Sequence, residues 1–379
     1  MGYGITNEAY YSAIASAIRS KAGTSASFAP SEMASAIEAI PSGGGGGTSD
    51  PIWDAYALKA TLSVPSSHAA GVTRIPPYAF EAFWCLSEVD FPDASFIGDH
   101  AFYDCNHLKT ARFDSATTVS TYAFYGCSDL TSVEMPECVT IGSHAFLNCT
   151  GMSRAVFSKC VSIYTSAFCN TGIREAIFPL ATSLFSNAFY GCSNLTSVSF
   201  PSVTNLAYYS VFAWCTSLKD VHMPNVTSLA AAAFYACSAL ESVSFPMLVQ
   251  PGLQSTFQAC SRLRDVYMPN VTSIAGNMFF GCYELKSILL TSASYIYNSA
   301  FRECWKLTSV YLLSSSVVSL GGSAVFSGTP MVSTVYTGEY GSIYVPESLY
   351  SAYLSSTHWS SIYSSRIVPL TDAQIAEIV

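Results

Sequence analysis

Apolar positions recur along this chain in a fixed order that is neither the period of one helix nor that of one strand. From a phenylalanine onward the pattern reads F-x-x-C-x-x-L-x-x-V-x-F-P, then x-V-T-x-I/L, then A-F again. Its clearest copy runs from Phe189 to Leu206 as FYGCSNLTSVSFPSVTNL. The anchoring residues are Phe80, Phe102, Phe124, Phe146, Phe168, Phe189, Phe212, Phe234, Phe257, Phe279, Phe301 and Phe326, at intervals of 21 to 25 residues. Twelve copies at so regular a spacing predict a solenoid, each copy one coil too small to bury its apolar side alone. Leu195, Val198 and Phe200 are read as inward positions of a short strand, which Pro201 ends because proline cannot donate to a ladder. Val203 and Leu206 point inward from the next edge, and Ala188-Phe189 closes the coil through a short helical turn. The inward set recurs as Leu130/Val133/Met135, Leu218/Val221/Met223, Leu240/Val243/Phe245 and Leu263/Val266/Met268.

The flanks follow other patterns. Asn7 can cap a helix carrying Tyr10, Ile14 and Ile18, and Ala29-Pro30 opens a second one with Met33, Ile37 and Ile40 on one face. Residues 1–42 therefore read as a helical hairpin whose faces must pair with each other, with further copies of the chain or with a docking protein. Gly43–Gly47 makes 43–48 a flexible linker. Residues 49–70 are assigned to an N-terminal cap, 71–338 to the repeats, and 339–379 to a C-terminal cap and tail. In the last segment SIYVP and RIVPL are strands, and Glu347–Trp359 is a helix turning Leu349, Tyr353 and Leu354 toward the final coil.

Composition changes the picture in three ways. Half of the 379 residues are hydrophobic and only 11% are charged, yet no run approaches the roughly 18 apolar residues of a membrane-spanning helix, so membrane insertion is not expected. The net charge of −9, without a cluster of five or more Lys/Arg, argues against nucleic acid as a partner. Nine of the thirteen cysteines, from Cys105 to Cys304, fall three residues after the motif phenylalanine, and stacking would make them a buried column of small apolar groups. The competing reading, a disulfide framework or metal ladder, fits poorly with Phe83 and Thr329 at that position, with the absence of any C-x-x-C pair and with an odd total.

These repeats resemble the BspA-type (Treponema-like) leucine-rich repeat family, over roughly Gly71 to Gly338. The resemblance implies a leucine-rich-repeat solenoid of about twelve 22- to 23-residue coils, short parallel strands joined by short helical turns, with a helical hairpin before it and an α/β cap after it. The stretch ITNEAYYSAIASAIRSKAGTSASFAPSEMASAIEAI resembles the N-terminal segment of phage and prophage tail-associated proteins. That likeness implies attachment through Tyr10, Ile14, Ile18, Met33, Ile37 and Ile40 to a virion tail or baseplate protein, and a homo-oligomer, a trimer by analogy with tail appendages.

Catalytic chemistry is not legible. The six histidines form no H-E-x-x-H motif; His100 and His144 sit two residues before the motif phenylalanine and read as surface positions. No G-x-S-x-G elbow occurs, and Glu88, Asp90, Asp93 and Asp99 lack the D-x-D-x-D-G calcium loop. No enzyme, metal or cofactor is expected. A ligand would meet the residues flanking the repeat valine, which face outward in two columns. Charge gathers in the early coils, while the late coils present His222, Tyr267, Leu289, Tyr311 and Tyr336, mostly aromatic and beside hydroxyls and carboxylates, which suits a glycan or protein receptor. The resulting expectation is a phage or prophage tail adhesin on the virion that recognises a bacterial surface receptor. The alternatives are a bacterial cell-surface adhesin, disfavoured by the lack of a visible leader or sorting segment, and an intracellular protein-binding scaffold.

Overall fold

A coil of this length can satisfy its backbone only through its neighbours, and its hydrogen bonds are laid out accordingly. The computed structural model describes residues 63–64, 69, 71–83, 86–252, 254–332 and 340–379. The hairpin expected over 1–42, with Tyr10, Ile14, Ile18, Met33, Ile37 and Ile40, lies outside the described residues, as do the glycine linker and most of the expected N-terminal cap.

The described chain is a parallel β-solenoid of about thirteen turns. Most coils, numbered here from 1 at Phe80 to 12 at Phe326, supply strands on two sides. A strand of three or four residues surrounds the repeat valine, as in Ser197–Ser199 and Asp220–His222. A two-residue strand carries the T-x-I/L segment, as in Thr118–Val119 and Thr140–Ile141. Like pairs with like: Ala176 with Val198, Val198 with Val221, Val119 with Ile141 and Ile141 with Ile163. The pairing register is the repeat itself, so equivalent side chains form columns with rungs about 4.8 Å apart.

The third side consists of turns where the sequence predicts a short helical turn. The residues two before and two after the motif phenylalanine take positive φ: Tyr122 at 57° and Gly126 at 73° about Phe124, Asn187 at 58° and Gly191 at 70° about Phe189. A right-handed helix cannot run through such residues. Their backbone bonds go to the next coil instead, Tyr122 N–H to the Ser143 carbonyl, Phe124 N–H to Ala145 and Gly126 N–H to Leu147, at 3.0, 2.8 and 2.9 Å. A Cβ at 126 or 191 would meet the side-chain oxygen of Asp104 or Asn170 in the preceding coil, which would have to turn aside.

Inside, the twelve motif phenylalanines form one continuous stack. Eleven successive ring pairs lie 4.9 to 5.7 Å apart between centroids and within 12° of parallel. None of the rings is more than 1% exposed. The phenylalanines that follow the long strands form shorter stacks, such as Phe157, Phe178 and Phe200, interrupted where Met135, Met223 and Met268 take that place. Val133, Val221 and Val266 are only partly buried against this core, whereas the leucines and methionines read with them are fully enclosed.

The cysteines do more than fill volume. All nine thiols of the column donate to the carbonyl of the motif phenylalanine one coil earlier, at 3.0 to 3.2 Å, as Cys127 Sγ does to Phe102. Thr171 also occupies a cysteine position, and it and Thr329 turn their hydroxyls to their own coil's Phe168 and Phe326 carbonyls at 2.9 and 2.7 Å. The twelve described cysteines are all free and buried. Burial pushes most of the thiols up, to about 12 at Cys138 and Cys260 and to about 11 at Cys169, whereas at Cys192 burial is outweighed by hydrogen bonds from Cys215 and Thr171, which lower it.

Strands Ser342–Pro346 and Ile367–Leu370 extend the long-strand sheet beyond coil 11 and end it at a proline-bearing edge, which discourages further strand addition. The predicted helix is confined to Tyr350–Ser355, flanked by short 3-10 turns, because Ser356 is extended and His358 left-handed. Tyr353 and Trp359 are buried edge to face at 4.7 Å and clip the backbone of Val318. The Val318 N–H donates to the Tyr353 hydroxyl at 3.1 Å, and the Trp359 indole donates to the Val318 carbonyl at 2.9 Å. Leu354, expected against the last coil, is 40% exposed. A final helix, Asp372–Ile378, opens on a Thr371/Gln374 capping box.

Iodoacetamide should therefore label Cys169, at 9% the most exposed of the described cysteines, before the other eleven of them. After unfolding without reductant all thirteen should react, and an even number left protected would show that disulfides exist.

Candidate functional site

Outward columns follow directly from the register. On the long-strand side His222 pairs with Ser199, Tyr267 with Ser244, and Leu289 with Tyr311. The strands of Tyr267 and Leu289 are neighbours, so Tyr267, Leu289 and Tyr311 occupy consecutive rungs, and His222 lies on the same column two coils before Tyr267. Tyr267 is 55% exposed, His222 is exposed, and Leu289 and Tyr311 are half-buried. The rung beyond Tyr311 belongs to Tyr344, whose ring stacks on it at 4.6 Å. Tyr336, which repeat spacing assigns to that rung, lies outside the described residues. The cap strand takes the place because Ser342–Pro346 joins the sheet directly beside Ser309–Leu312. Tyr267, Leu289, Tyr311 and Tyr344 thus span roughly 14 Å, flanked by Asp265, Ser287, Ser309 and Ser342 on the parallel column.

At the early end the same columns carry ions. Arg112 holds Asp114 at 2.7 Å and reaches Glu134 at 3.7 Å, both exposed pairs that stabilise little, and lies 3.9 Å from the half-buried Asp90, whose Oδ1 is enclosed without a hydrogen-bond partner. Two members of the acidic group have structural work: Asp93 accepts from the Gly71 N–H and Asp99 from the Thr121 N–H. Among the described residues no group of three or more His, Cys, Asp or Glu is placed to hold a metal ion, and no helix is long and apolar enough to cross a membrane.

The third side holds an aromatic ladder. Tyr78, His100, Tyr122 and His144 stack ring on ring at 4.9, 4.9 and 4.6 Å, with Tyr103 and Tyr125 stacked beside them at 4.6 Å. The two histidines are half-buried rather than surface positions, and the Nδ1 of each is enclosed without a hydrogen-bond partner. Tyr164, Phe185 and Tyr208 form a further stack beside the two-residue strands, and Tyr283 lies on Trp305 at 4.2 Å. Reading each repeat position down the coils, rather than along the chain, exposes all three groups.

Burial lowers the pKa of His100, against the opposing pull of Asp99, and that of His144. A histidine lowered in the folded state binds fewer protons there than in the unfolded chain. Its contribution to stability is therefore full above about pH 6.5 and declines as the pH falls below that value. Glu81 and Asp104, raised by burial, act in the opposite sense. Replacing both histidines by tyrosine, the residue already at positions 78 and 122, should flatten the fall in Tm between about pH 7 and pH 5. An unchanged slope would mean that the ladder does not titrate.

Residues 73–196, 182–308 and 253–351 each match the family described as BspA type leucine rich repeat region (6 copies). Among solved structures, a leucine rich cell surface protein from Faecalibacterium prausnitzii is 21% identical over 70% of this chain and 84% of its own, with a TM-score of 0.39. A leucine-rich repeat protein from Eubacterium ventriosum is 18% identical over 74% and 92%, with a TM-score of 0.43. The leucine rich repeat protein of T. pallidum is 28% identical over 44% and 69%, with a TM-score of 0.34. No curated protein matches the chain. The repeat match runs from residue 73 to residue 351, most of the sequence and nearly all of the solenoid, and the chain belongs to the BspA-type leucine-rich repeat family.

Proposed function

We propose that this protein is a non-enzymatic adhesion module that presents the long-strand side of its solenoid to a ligand on a bacterial surface. The observation that carries this reading is the run of Tyr267, Leu289, Tyr311 and Tyr344 on successive rungs, apolar and aromatic surface held outward by a rigid sheet and bordered by hydroxyls and a carboxylate. Rigidity matters because side chains fixed by the register lose little freedom on binding. His222 and Ser244 extend the same column toward the earlier coils.

Where the module is mounted rests on sequence alone. The resemblance of residues 1–42 to tail-associated segments favours a virion, with Tyr10, Ile14, Ile18, Met33, Ile37 and Ile40 docking to a tail or baseplate protein or to further copies of the chain. The family membership equally suits a bacterial cell-surface adhesin.

Truncating Tyr267 to Ala, alone and with Tyr311, should weaken binding to host cells by about 1–2 kcal/mol per contact, with the Tyr267 change leaving the melting curve unaltered. Ser244→Ala in the same column should do little. Retained cell binding in the double variant, together with loss on changing Glu88, Asp90 and Arg112, would place the site at the charged early end instead.

A further inference from the structure

A second surface lies away from the tyrosine column, at the edge where the third side passes into the long strands. A groove of about 550 Å³ crosses coils 6 to 9 there, lined by Thr216, Ser217, Lys219, Ser238, Ser261 and Arg262 among others. Five of its eight lining residues carry hydroxyls, two are cationic and Ala239 is the one apolar residue, so it holds no large apolar side chain of the kind that anchors a peptide. The hydroxyls of Thr216, Ser238 and Ser261 reach carbonyls of the preceding coil only at 3.4 to 3.5 Å. Bonds that long are weak and exchange readily for a ligand.

Charge is concentrated here in a chain that is acidic overall. The three repeat columns that build this edge, followed through coils 6 to 11, carry Lys219, Arg262, Arg264, Lys286 and Lys306 against the two carboxylates Glu241 and Glu284. Arg264 lies 3.9 Å from Glu241 and Lys306 lies 2.7 Å from Glu284, so both carboxylates are engaged. Lys219 and Arg262 are exposed and, among the described residues, form no ion pair. They stand two coils apart, roughly 10 Å along the axis, comparable with a disaccharide.

The column of Thr216, Ser238 and Ser261 continues as Tyr283 and Trp305, the stacked pair described above, and Trp305 is 51% exposed. A cationic, hydroxyl-lined groove that runs out onto an indole matches a ligand rich in hydroxyls, carrying acid groups, and presenting C–H faces for stacking. We propose that this edge binds an acidic glycan, with Lys219 and Arg262 on its anionic groups and a sugar ring against Trp305.

Titration calorimetry of the full chain with a heparin hexasaccharide and with hexagalacturonate separates sulfate from carboxylate as the recognised group; maltohexaose and polyglutamate serve as neutral and peptidic controls. At least one acidic sugar should bind, with affinity falling as salt rises, while maltohexaose should not. Lys219→Ala/Arg262→Ala should weaken binding about tenfold or more, and Trp305→Ala should weaken it and remove the ligand-induced fluorescence change. Lys159→Ala, which removes a cation already paired with Glu137 elsewhere, should change nothing. All these side chains are exposed, so the variants should keep the parent melting curve. The proposal falls if neither acidic sugar binds, if the double variant binds within twofold of the parent, or if polyglutamate binds as tightly as the sugars. Because Tyr267→Ala leaves this edge intact, loss of cell adhesion and loss of glycan binding report on different surfaces.

Discussion

A coil of about 22 residues has one apolar side and nothing of its own to cover it. The requirement that each phenylalanine be enclosed by the rings above and below it shapes everything else in the molecule. At 4.9 to 5.7 Å the motif rings sit one strand spacing apart, so the same register that pairs the backbone also stacks the aromatics. Neither could shift alone. Slipping one strand by a residue would send Val198 outward and Ser197 inward while pulling Phe189 out of line with Phe168 and Phe212.

The stack creates a second demand, because it buries backbone carbonyls beside the rings. The motif phenylalanine carbonyl accepts from the cysteine N–H of its own coil and, in nine cases, from the thiol of the coil after it. The left-handed residues on the third side meet the same demand. Tyr, His, Ser, Asn, Ala and Trp all adopt positive φ there, a strained choice for most of them, because that geometry turns the peptide N–H groups toward the next coil. At the C-terminal end no next coil exists, and Tyr353 and Trp359 supply side-chain groups to Val318 instead.

Much of this was legible in the residues. Phe, Leu, Val and Cys spacing identified the coil, its strands and the inward set, since periodic burial leaves a periodic trace. The thiol-to-carbonyl bonds left none, because hydropathy treats cysteine as a small apolar group. The positive φ positions were equally silent, occupied as they are by residues as different as Tyr122 and Ala232. Of the candidate site, His222, Tyr267, Leu289 and Tyr311 came from counting outward positions. Tyr344 did not, because the cap strand enters the sheet out of repeat order. The histidines of the third side were placed at the surface because their enclosure depends on tyrosines in adjacent coils.

Function follows from the same constraint. A core that fixes every coil against the next also fixes what stands outward, so the proposed binding surfaces follow columns of the register, and differences between coils set their chemistry. A double-mutant cycle on neighbouring rings tests the founding interaction directly. Phe212 and Phe234, stacked at 5.4 Å, are replaced by leucine singly and together and compared with Phe124 and Phe279, which lie seven coils apart. The stacked pair should couple by about 0.5–1.5 kcal/mol in denaturant titrations, with the distant pair additive. Additivity in the stacked pair, or equal coupling in both, would mean that the rings contribute only buried volume and that the phenylalanine stack does not hold the solenoid in register.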